Sequence, residues 1–173
     1  SGQYGRYLCV DSPAGKYVPS SSAMYATDCA LGTYQATTGQ SSCDDADAGY
    51  YVPTVAQSSQ TECGLGTYQV LTSQSFCDDA DAGYYVNQTT QTTQTECGLG
   101  TYQALTSQSC CDDADAGYYV KQTTQTTQTE CGLGTYQALT GQSFCDAADA
   151  GYFVSAISQS NQTECAIGTY QAL

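Results

Sequence analysis

A glycine recurs at every 17th position from Gly15 to Gly168, and this strict period limits what the chain can fold into. The glycines are Gly15, Gly32, Gly49, Gly66, Gly83, Gly100, Gly117, Gly134, Gly151 and Gly168. An aromatic residue follows two positions later each time, as Tyr68 follows Gly66 and Phe153 follows Gly151. So short a period predicts one small supersecondary unit per repeat, stacked on its neighbours, in place of a single globular core.

The 17-residue unit has two alternating types, so two consecutive units make one double repeat. The Cys-type unit reads C-x2-GTYQ-x7-C, as from Cys63 to Cys77. The Gln-type unit reads A-x2-GYYV-x7-Q, as from Ala80 to Gln94. The double repeat divides the chain into a degenerate copy at 1–28, full copies at 29–62, 63–96, 97–130 and 131–164, and the start of a further copy at 165–173.

Each unit has the residues of a short β-hairpin. The glycine supplies a turn, the following T-Y-Q or Y-Y-V is β-prone, and the polar stretch after it suits a turn and a return strand. No segment has the sustained apolar period of a helix. We therefore predict a small disulfide-rich all-β fold, an elongated tandem array of short hairpins. Since a lone hairpin is marginally stable, we expect each to pack only on the one before and the one after, through the tyrosine rings.

Charge and composition exclude several classes of partner. The chain has 17 Asp and Glu against 3 Lys and Arg, a net charge of −14, which excludes nucleic acids and anionic membrane surfaces. No apolar run approaches the roughly 20 residues of a membrane span, so we expect no direct membrane insertion in this segment. The first residues do not resemble a signal peptide, which we interpret as absent or already removed.

The 11 cysteines indicate a chain held by disulfides, because large aliphatic residues are too sparse to fill a core. Disulfides persist in oxidising compartments, so we expect a secreted protein or an extracellular surface protein. Structural zinc is disfavoured, since the chain has neither His nor C-x2-C.

Two disulfide pairings respect the repeat. The shorter spacing would give Cys29–Cys43, Cys63–Cys77, Cys97–Cys111 and Cys131–Cys145; the longer spacing would give Cys9–Cys29, Cys43–Cys63, Cys77–Cys97, Cys111–Cys131 and Cys145–Cys165. The repeat register favours the shorter spacing, because Ala80 and Gln94 have lost both cysteines of the equivalent pair together. Cys9 and Cys165 would then need partners outside this segment. The longer spacing uses every regular cysteine internally and stays open.

Cys110 stands outside the regular spacing. It occupies the place of Phe76 and Phe144 in the neighbouring copies. An unmatched thiol there fits a bond to another chain, and it fits equally a buried and unreactive apolar replacement for Phe.

The string C-x2-G-T-Y-x8-C followed by D-D-A-D-A-G-Y-Y-V resembles the ephrin-receptor-like and TNF-receptor-like cysteine-rich repeats of secreted and cell-surface proteins. The resemblance covers nearly the whole chain, more weakly before residue 29, and implies small modules each closed by a disulfide. Those families usually join modules through C-x2-C. Here the second cysteine of that motif is replaced by Ala46, Ala80, Ala114 and Ala148. Half of the bonds are thus missing, and the receptors' ligand surfaces are not carried over. The near-identical copies look more like stalk and filament proteins of microbial or algal surfaces.

Acidic pairs precede the glycine of the Gln-type units in the pattern D-x-D-x-G. They are Asp45 with Asp47, Asp79 with Asp81, and Asp113 with Asp115. The pattern partly matches a calcium loop, in which oxygen ligands alternate along the chain. No Glu follows at the closing distance, and Asp also caps turns through its own side chain. We favour turn chemistry, with calcium as the alternative and no other metal or cofactor expected.

Glycan acceptors are predicted in two places. Asn87 and Asn161 each begin an N-x-T sequon, an acceptor in a secreted chain unless the sequon is left unused. The Thr/Gln tracts at 89–95 and 123–129 resemble O-glycosylated segments, and a polar strand facing water is the alternative. The candidate O-linked sites are Thr89, Thr90, Thr92, Thr93, Thr123, Thr124, Thr126 and Thr127.

No catalytic constellation stands out. The chain has no His, its only lysines are Lys16 and Lys121, and its paired carboxylates recur in copy after copy. We therefore expect a protein that is not an enzyme. Our first hypothesis is a structural glycoprotein whose repeats associate end to end or side by side in a filament, appendage or surface coat. The alternative is the stalk or ectodomain of a receptor or adhesin that binds a protein or glycan partner.

Overall fold

The computed structural model describes residues 8–171, and within them the chain is all-β without a helix. Eighteen strands of two residues form nine antiparallel two-stranded sheets, each between strands consecutive in sequence. The strands are β1 Lys16–Tyr17, β2 Thr27–Asp28, β3 Thr33–Tyr34, β4 Asp44–Asp45, β5 Tyr50–Tyr51, β6 Thr61–Glu62, β7 Thr67–Tyr68, β8 Asp78–Asp79, β9 Tyr84–Tyr85, β10 Thr95–Glu96, β11 Thr101–Tyr102, β12 Asp112–Asp113, β13 Tyr118–Tyr119, β14 Thr129–Glu130, β15 Thr135–Tyr136, β16 Asp146–Ala147, β17 Tyr152–Phe153 and β18 Thr163–Glu164. The predicted tandem array of disulfide-rich hairpins, repeating with the period of the glycines, is confirmed.

Each hairpin begins with a tight turn that explains the invariant glycine. In the unit of β5 and β6, the N–H of Tyr50 donates to the carbonyl of Asp47 at 3.0 Å, and Gly49 has φ +83°. These are the features of a type II turn, whose third residue needs a positive φ. The chain then enters β5, crosses the loop of residues 52–60, and returns as β6 with Tyr51 opposite Thr61.

The chain separates into two compact bodies. The first contains the described residues up to Gly64 together with Tyr68–Asp78 and Thr89–Thr93; the second contains Leu65–Thr67, Asp79–Gln88 and the described residues from Gln94 onward. The same backbone bonds join the hairpins inside each body. In the first, the N–H of Gly32 donates to Val52 O at 3.0 Å. In the second, the N–H of Gly100 donates to Val120 O at 2.8 Å.

Hairpins of the same type also touch across the unit between them. A Cβ built on Gly32 would lie 2.1 Å from the carbonyl oxygen of Ser73, in the next Cys-type unit of the first body. In the second body, a Cβ on Gly83 would lie 2.4 Å from the carbonyl oxygen of Thr124. The expectation that each hairpin packs only on its immediate neighbours is therefore wrong. From Gly15 to Gly117, the repeat glycine is needed for its positive φ and also because another backbone lies against it.

The core is narrow and consists of small side chains. In the units that begin at Cys29 to Cys131, Cys or Ala fills one buried position, as Cys63 and Ala80 do, and Gln or Val fills another, as Gln69 and Val86 do. The tyrosines of the strands are half-buried, so their rings shield this core while part of each remains in water.

Candidate structural site: the clamps that close each hairpin

The Cys-type units are closed by disulfides. The bonds are Cys29–Cys43, Cys63–Cys77, Cys97–Cys111 and Cys131–Cys145, each with a sequence separation of 14. The structure thus contains the shorter of the two pairings, and the longer-spaced alternative is absent from the described residues. The first cysteine of every pair is fully buried. Closing a loop of this length stabilises the fold by about 3 kcal/mol through the unfolded state.

The Gln-type units are closed by an amide clamp in place of the disulfide. The side-chain Oε1 of Gln60 accepts from the N–H of Asp47 at 2.7 Å, and its Nε2 donates to Asp47 Oδ2 at 2.7 Å. The same two bonds join Asp81 to Gln94, Asp115 to Gln128, and Asp149 to Gln162. Each clamp glutamine stands where the Cys-type unit has its second cysteine.

Sequence reasoning missed this clamp, although the sequence carries a signal for it. The residue after the buried Cys or Ala is Asp47, Asp81, Asp115 or Asp149 in Gln-type units, whereas Cys-type units have Ala30, Gly64, Gly98 or Gly132 there. Aspartate therefore occurs together with glutamine, and Gly or Ala together with the second cysteine. Positions that change together in this way are in contact, and in the Gln-type units the contact is between the aspartate and glutamine side chains.

A buried glutamine organises the loop of each Cys-type unit. Gln69 is 2% exposed, and its Oε1 accepts from the N–H of Leu71 at 3.0 Å. Its Nε2 donates to Phe76 O at 3.1 Å and to Asp78 Oδ2 at 3.3 Å. The side chain therefore bridges both ends of the loop and leaves neither of its polar atoms unpaired. Equivalent bonds are made by Gln35, Gln103 and Gln137.

The aspartates considered as calcium ligands have structural partners. In the clamps, a glutamine Nε2 donates to the Oδ2 atom of Asp47, Asp81 or Asp115. The other three aspartates lie in return strands: Asp45, Asp79 and Asp113. No group of three or more His, Cys, Asp or Glu side chains that could hold a metal ion occurs within residues 8–171. Calcium binding, the alternative to turn chemistry, is open to a test by chelation.

The predicted glycan acceptors are largely accessible. Asn87 and Asn161 are exposed. Of the threonines, Thr89, Thr92, Thr93, Thr123, Thr126 and Thr127 are exposed, whereas Thr90 and Thr124 are half-buried. The hydroxyls of the two half-buried residues donate to Thr89 O and Thr123 O at 2.7 Å, so these two are the less accessible acceptors.

Three cysteines are free: Cys9 and Cys110, which are exposed, and Cys165, which is half-buried. Cys110 lines an open groove of the second body beside Tyr85 and Thr101. The thiol is exposed there, so the alternative that it is a buried replacement for Phe is wrong; Phe76 and Phe144 themselves are 57% and 58% exposed.

These features define the class of the chain as a tandem β-hairpin repeat protein with alternating disulfide and amide clamps. A scan of the sequence against protein-family models gives no match, and a comparison with curated proteins finds no relative. Residues 8–171 contain no helix long and apolar enough to cross a membrane.

Proposed function

We propose that this chain is a structural extracellular glycoprotein whose hairpins form or extend a filament, appendage or surface coat, and that it carries no catalytic activity. The observation that carries the proposal is one backbone hydrogen bond that recurs between successive units. In every unit from Gly15 to Gly134, the glycine N–H donates to the carbonyl of the Gln or Val that follows the first strand of the next unit. A contact made by backbone groups tolerates changes of surface side chain and can be repeated for any number of units.

The secreted location rests on the disulfides and on the accessible acceptors. The chain contains four disulfides, and disulfides form and persist in oxidising compartments. Exposed Asn87 and Asn161 and the exposed threonines would carry the glycans. Glycans would supply hydration to a surface that is otherwise rich in neutral polar groups.

The proposed partner is the protein itself, end to end or side by side. In the second body, the leucine immediately before each of Gly66, Gly100 and Gly134 stays exposed: Leu65 at 57%, Leu99 at 58% and Leu133 at 69%. Apolar side chains repeated at the period of the fold suit a contact with a surface of the same period. The cysteine-rich repeats of receptors, which the sequence resembles, would share the hairpin module without sharing this role.

A receptor or adhesin stalk is the second candidate, and the first unit favours it. The sequence of that unit differs from the repeat. Its Met24 and Tyr25 line an open groove and are 84% and 81% exposed. Exposed apolar residues on a departing repeat are where a protein or glycan partner would bind.

The test is to produce the oxidised protein in a glycosylating host and to examine it by electron microscopy and peptide mass spectrometry. Filaments with an axial period set by the repeat, and hexose mass on the peptide containing Asn87, are expected. A glycan-free monomer that captures a soluble partner, and loses it in the variant Met24→Ser with Tyr25→Ser, would instead establish the stalk.

A further inference from the structure

An open groove of the second body lies at the end of strand β9. Tyr85 of β9 and Asn87 both line the groove, and Val86 between them is 2% exposed. Alternate residues of an extended segment face the same side, so the tyrosine ring and the Asn87 side chain lie on the groove side while Val86 faces the core. Since Asn87 is exposed, the predicted acceptor of an N-linked glycan stands beside an aromatic wall.

A small residue accompanies the open groove. Cys110 lines it and stands where two other copies have Phe76 and Phe144. In the first body, Ser42 stands at the same place and also lines an open groove. The place of Asn87 is taken in the other three copies by Pro19, Pro53 and Lys121. Asn87 is therefore the one residue of this set that combines a glycan acceptor with a groove free of the Phe ring.

The lining of the groove suits a sugar ring. A pyranose has a face of C–H bonds, which packs on the electron-rich face of an aromatic ring such as that of Tyr85. Its hydroxyls need hydrogen-bond partners, and the carboxylate of Glu96 and the hydroxyl of Ser109 line the same groove. The groove has a volume of about 590 Å³, within the range of about 300–1,000 Å³ that is typical of small-molecule sites.

We propose that the first N-acetylglucosamine of a glycan on Asn87 lies in this groove, with its C–H face against the ring of Tyr85 and its hydroxyls toward Glu96. The inference deepens the proposed function and rests on it, because it requires the chain to be glycosylated. The covalent bond to Asn87 keeps the sugar at a high local concentration beside the groove, so a weak contact is sufficient for occupancy.

The docked sugar has one consequence that can be measured directly. The thiol of Cys110 is exposed in the same groove, so the sugar covers it. The second sequon provides a comparison within the chain. Asn161 has Gln159 two positions before it, where Asn87 has Tyr85, so a glycan on Asn161 lacks the aromatic face.

The experiment uses the full-length variant Cys9→Ser with Cys165→Ser, made in a eukaryotic host, in which Cys110 is the remaining free thiol. An endoglycosidase trims each glycan to one N-acetylglucosamine, and the rate at which a maleimide alkylates Cys110 is measured. The matched control carries Asn87→Gln in addition and is treated identically. We expect the single sugar on Asn87 to slow alkylation about tenfold, which corresponds to about 1.4 kcal/mol in favour of the docked position.

A second pair of proteins separates packing on the ring from crowding. Tyr85→Leu removes the ring and keeps an apolar side chain, so the proteins with and without the sugar should then be alkylated at nearly the same rate. NMR on the protein with an unaltered Tyr85 is an independent measurement, in which the ring should shift the sugar C–H resonances upfield. Equal alkylation with and without the sugar on Asn87, protection that persists in Tyr85→Leu, or unshifted sugar resonances would overturn the inference.

Mass spectrometry of the glycopeptides distinguishes this failure from that of the proposed function. If Asn161 carries a glycan and Asn87 carries none, the inference is wrong and the glycoprotein role stands. The same holds if Asn87 is glycosylated and Cys110 stays unprotected. If neither asparagine is glycosylated in that host, the inference fails together with the N-linked part of the proposed glycoprotein.

Discussion

Gln128 holds Asp115 through both ends of its side-chain amide. Its Oε1 accepts from the backbone N–H of Asp115 at 2.6 Å, and its Nε2 donates to Asp115 Oδ2 at 2.6 Å. The bonds span 13 residues and close a loop of nearly the same length as the one that Cys97 and Cys111 close in the preceding unit. Successive hairpins are therefore closed alternately by a disulfide and by an amide clamp.

Removing the amide clamp should destabilise its hairpin measurably. We expect Gln128→Ala to lower the free energy of unfolding by about 1–2 kcal/mol, since two hydrogen bonds are lost, one of them to a carboxylate, at an exposed site. Urea unfolding followed by tyrosine fluorescence measures the change. Gln122→Ala, at an exposed position of the same loop, is the control and should stay within about 0.5 kcal/mol of the unaltered protein. Equal effects of the two substitutions would mean that the clamp contributes nothing.

The equivalence of the two closures can be tested by exchanging one for the other. Ala80 and Gln94 occupy the places of Cys63 and Cys77, and Ala80 is fully buried as Cys63 is. We expect Ala80→Cys with Gln94→Cys to form a disulfide and to raise the free energy of unfolding, because the loop closure contributes about 3 kcal/mol and the lost clamp costs less. Mass spectrometry and unfolding under non-reducing conditions measure both effects. Each single cysteine variant is the matched control, and a pair that stays reduced in air would refute the equivalence.

The hairpin and its disulfide followed from the sequence because each depends on residue type at a fixed spacing. Gly15 to Gly168 marked the turns, and the joint loss of cysteine at Ala80 and Gln94 indicated which cysteines pair. The contact of Gly32 with Ser73 did not follow, because it depends on which backbone atoms meet in three dimensions. The clamp was missed although aspartate and glutamine occur together at its two positions, because only the cysteine positions had been compared. The 17-residue period shows that the units are equivalent, but it does not show which other units each unit contacts.

Replacement by alanine should have very unequal effects at the two glycines of one turn, Gly100 and Gly98. Gly100 has φ +81°, and a Cβ on it would lie 2.1 Å from the carbonyl oxygen of Gly141, whereas a Cβ on Gly98 would meet nothing within 4 Å. We expect Gly100→Ala to cost about 3 kcal/mol or more, combining left-handed strain with the displaced backbone. Gly98→Ala should change the free energy of unfolding by less than about 1 kcal/mol. Thermal unfolding of both variants tests the pair, and similar losses would show that the close approach is unimportant.

Chelation should leave the fold unchanged. The Oδ2 atoms of Asp47, Asp81 and Asp115 already accept from glutamine Nε2 atoms, so the turns they form need no cation. We expect the same midpoint of thermal unfolding with an excess of EDTA and with millimolar calcium. A midpoint that rises with calcium concentration would show linkage to bound calcium and would restore the calcium interpretation of the D-x-D-x-G pattern.

Tyr102 should lose its proton only at a pH above the ordinary pKa of a tyrosine. Burial raises the pKa of Tyr102 above its ordinary value of 10.0, and the carboxylates of Asp115 and Asp112 raise it further. Because the folded state holds this proton more tightly than the unfolded state, the associated stability is fully present below the unfolded pKa near 10.0 and is lost as pH rises through the folded value. We expect Asp115→Asn to lower the pKa of Tyr102, yet to leave it raised, since burial is the largest cause. A titration of selectively labelled tyrosine by NMR measures this, with Glu130→Gln as the control for a general change in charge. An unchanged pKa in Asp115→Asn, or an equal fall in the control, would contradict the assignment.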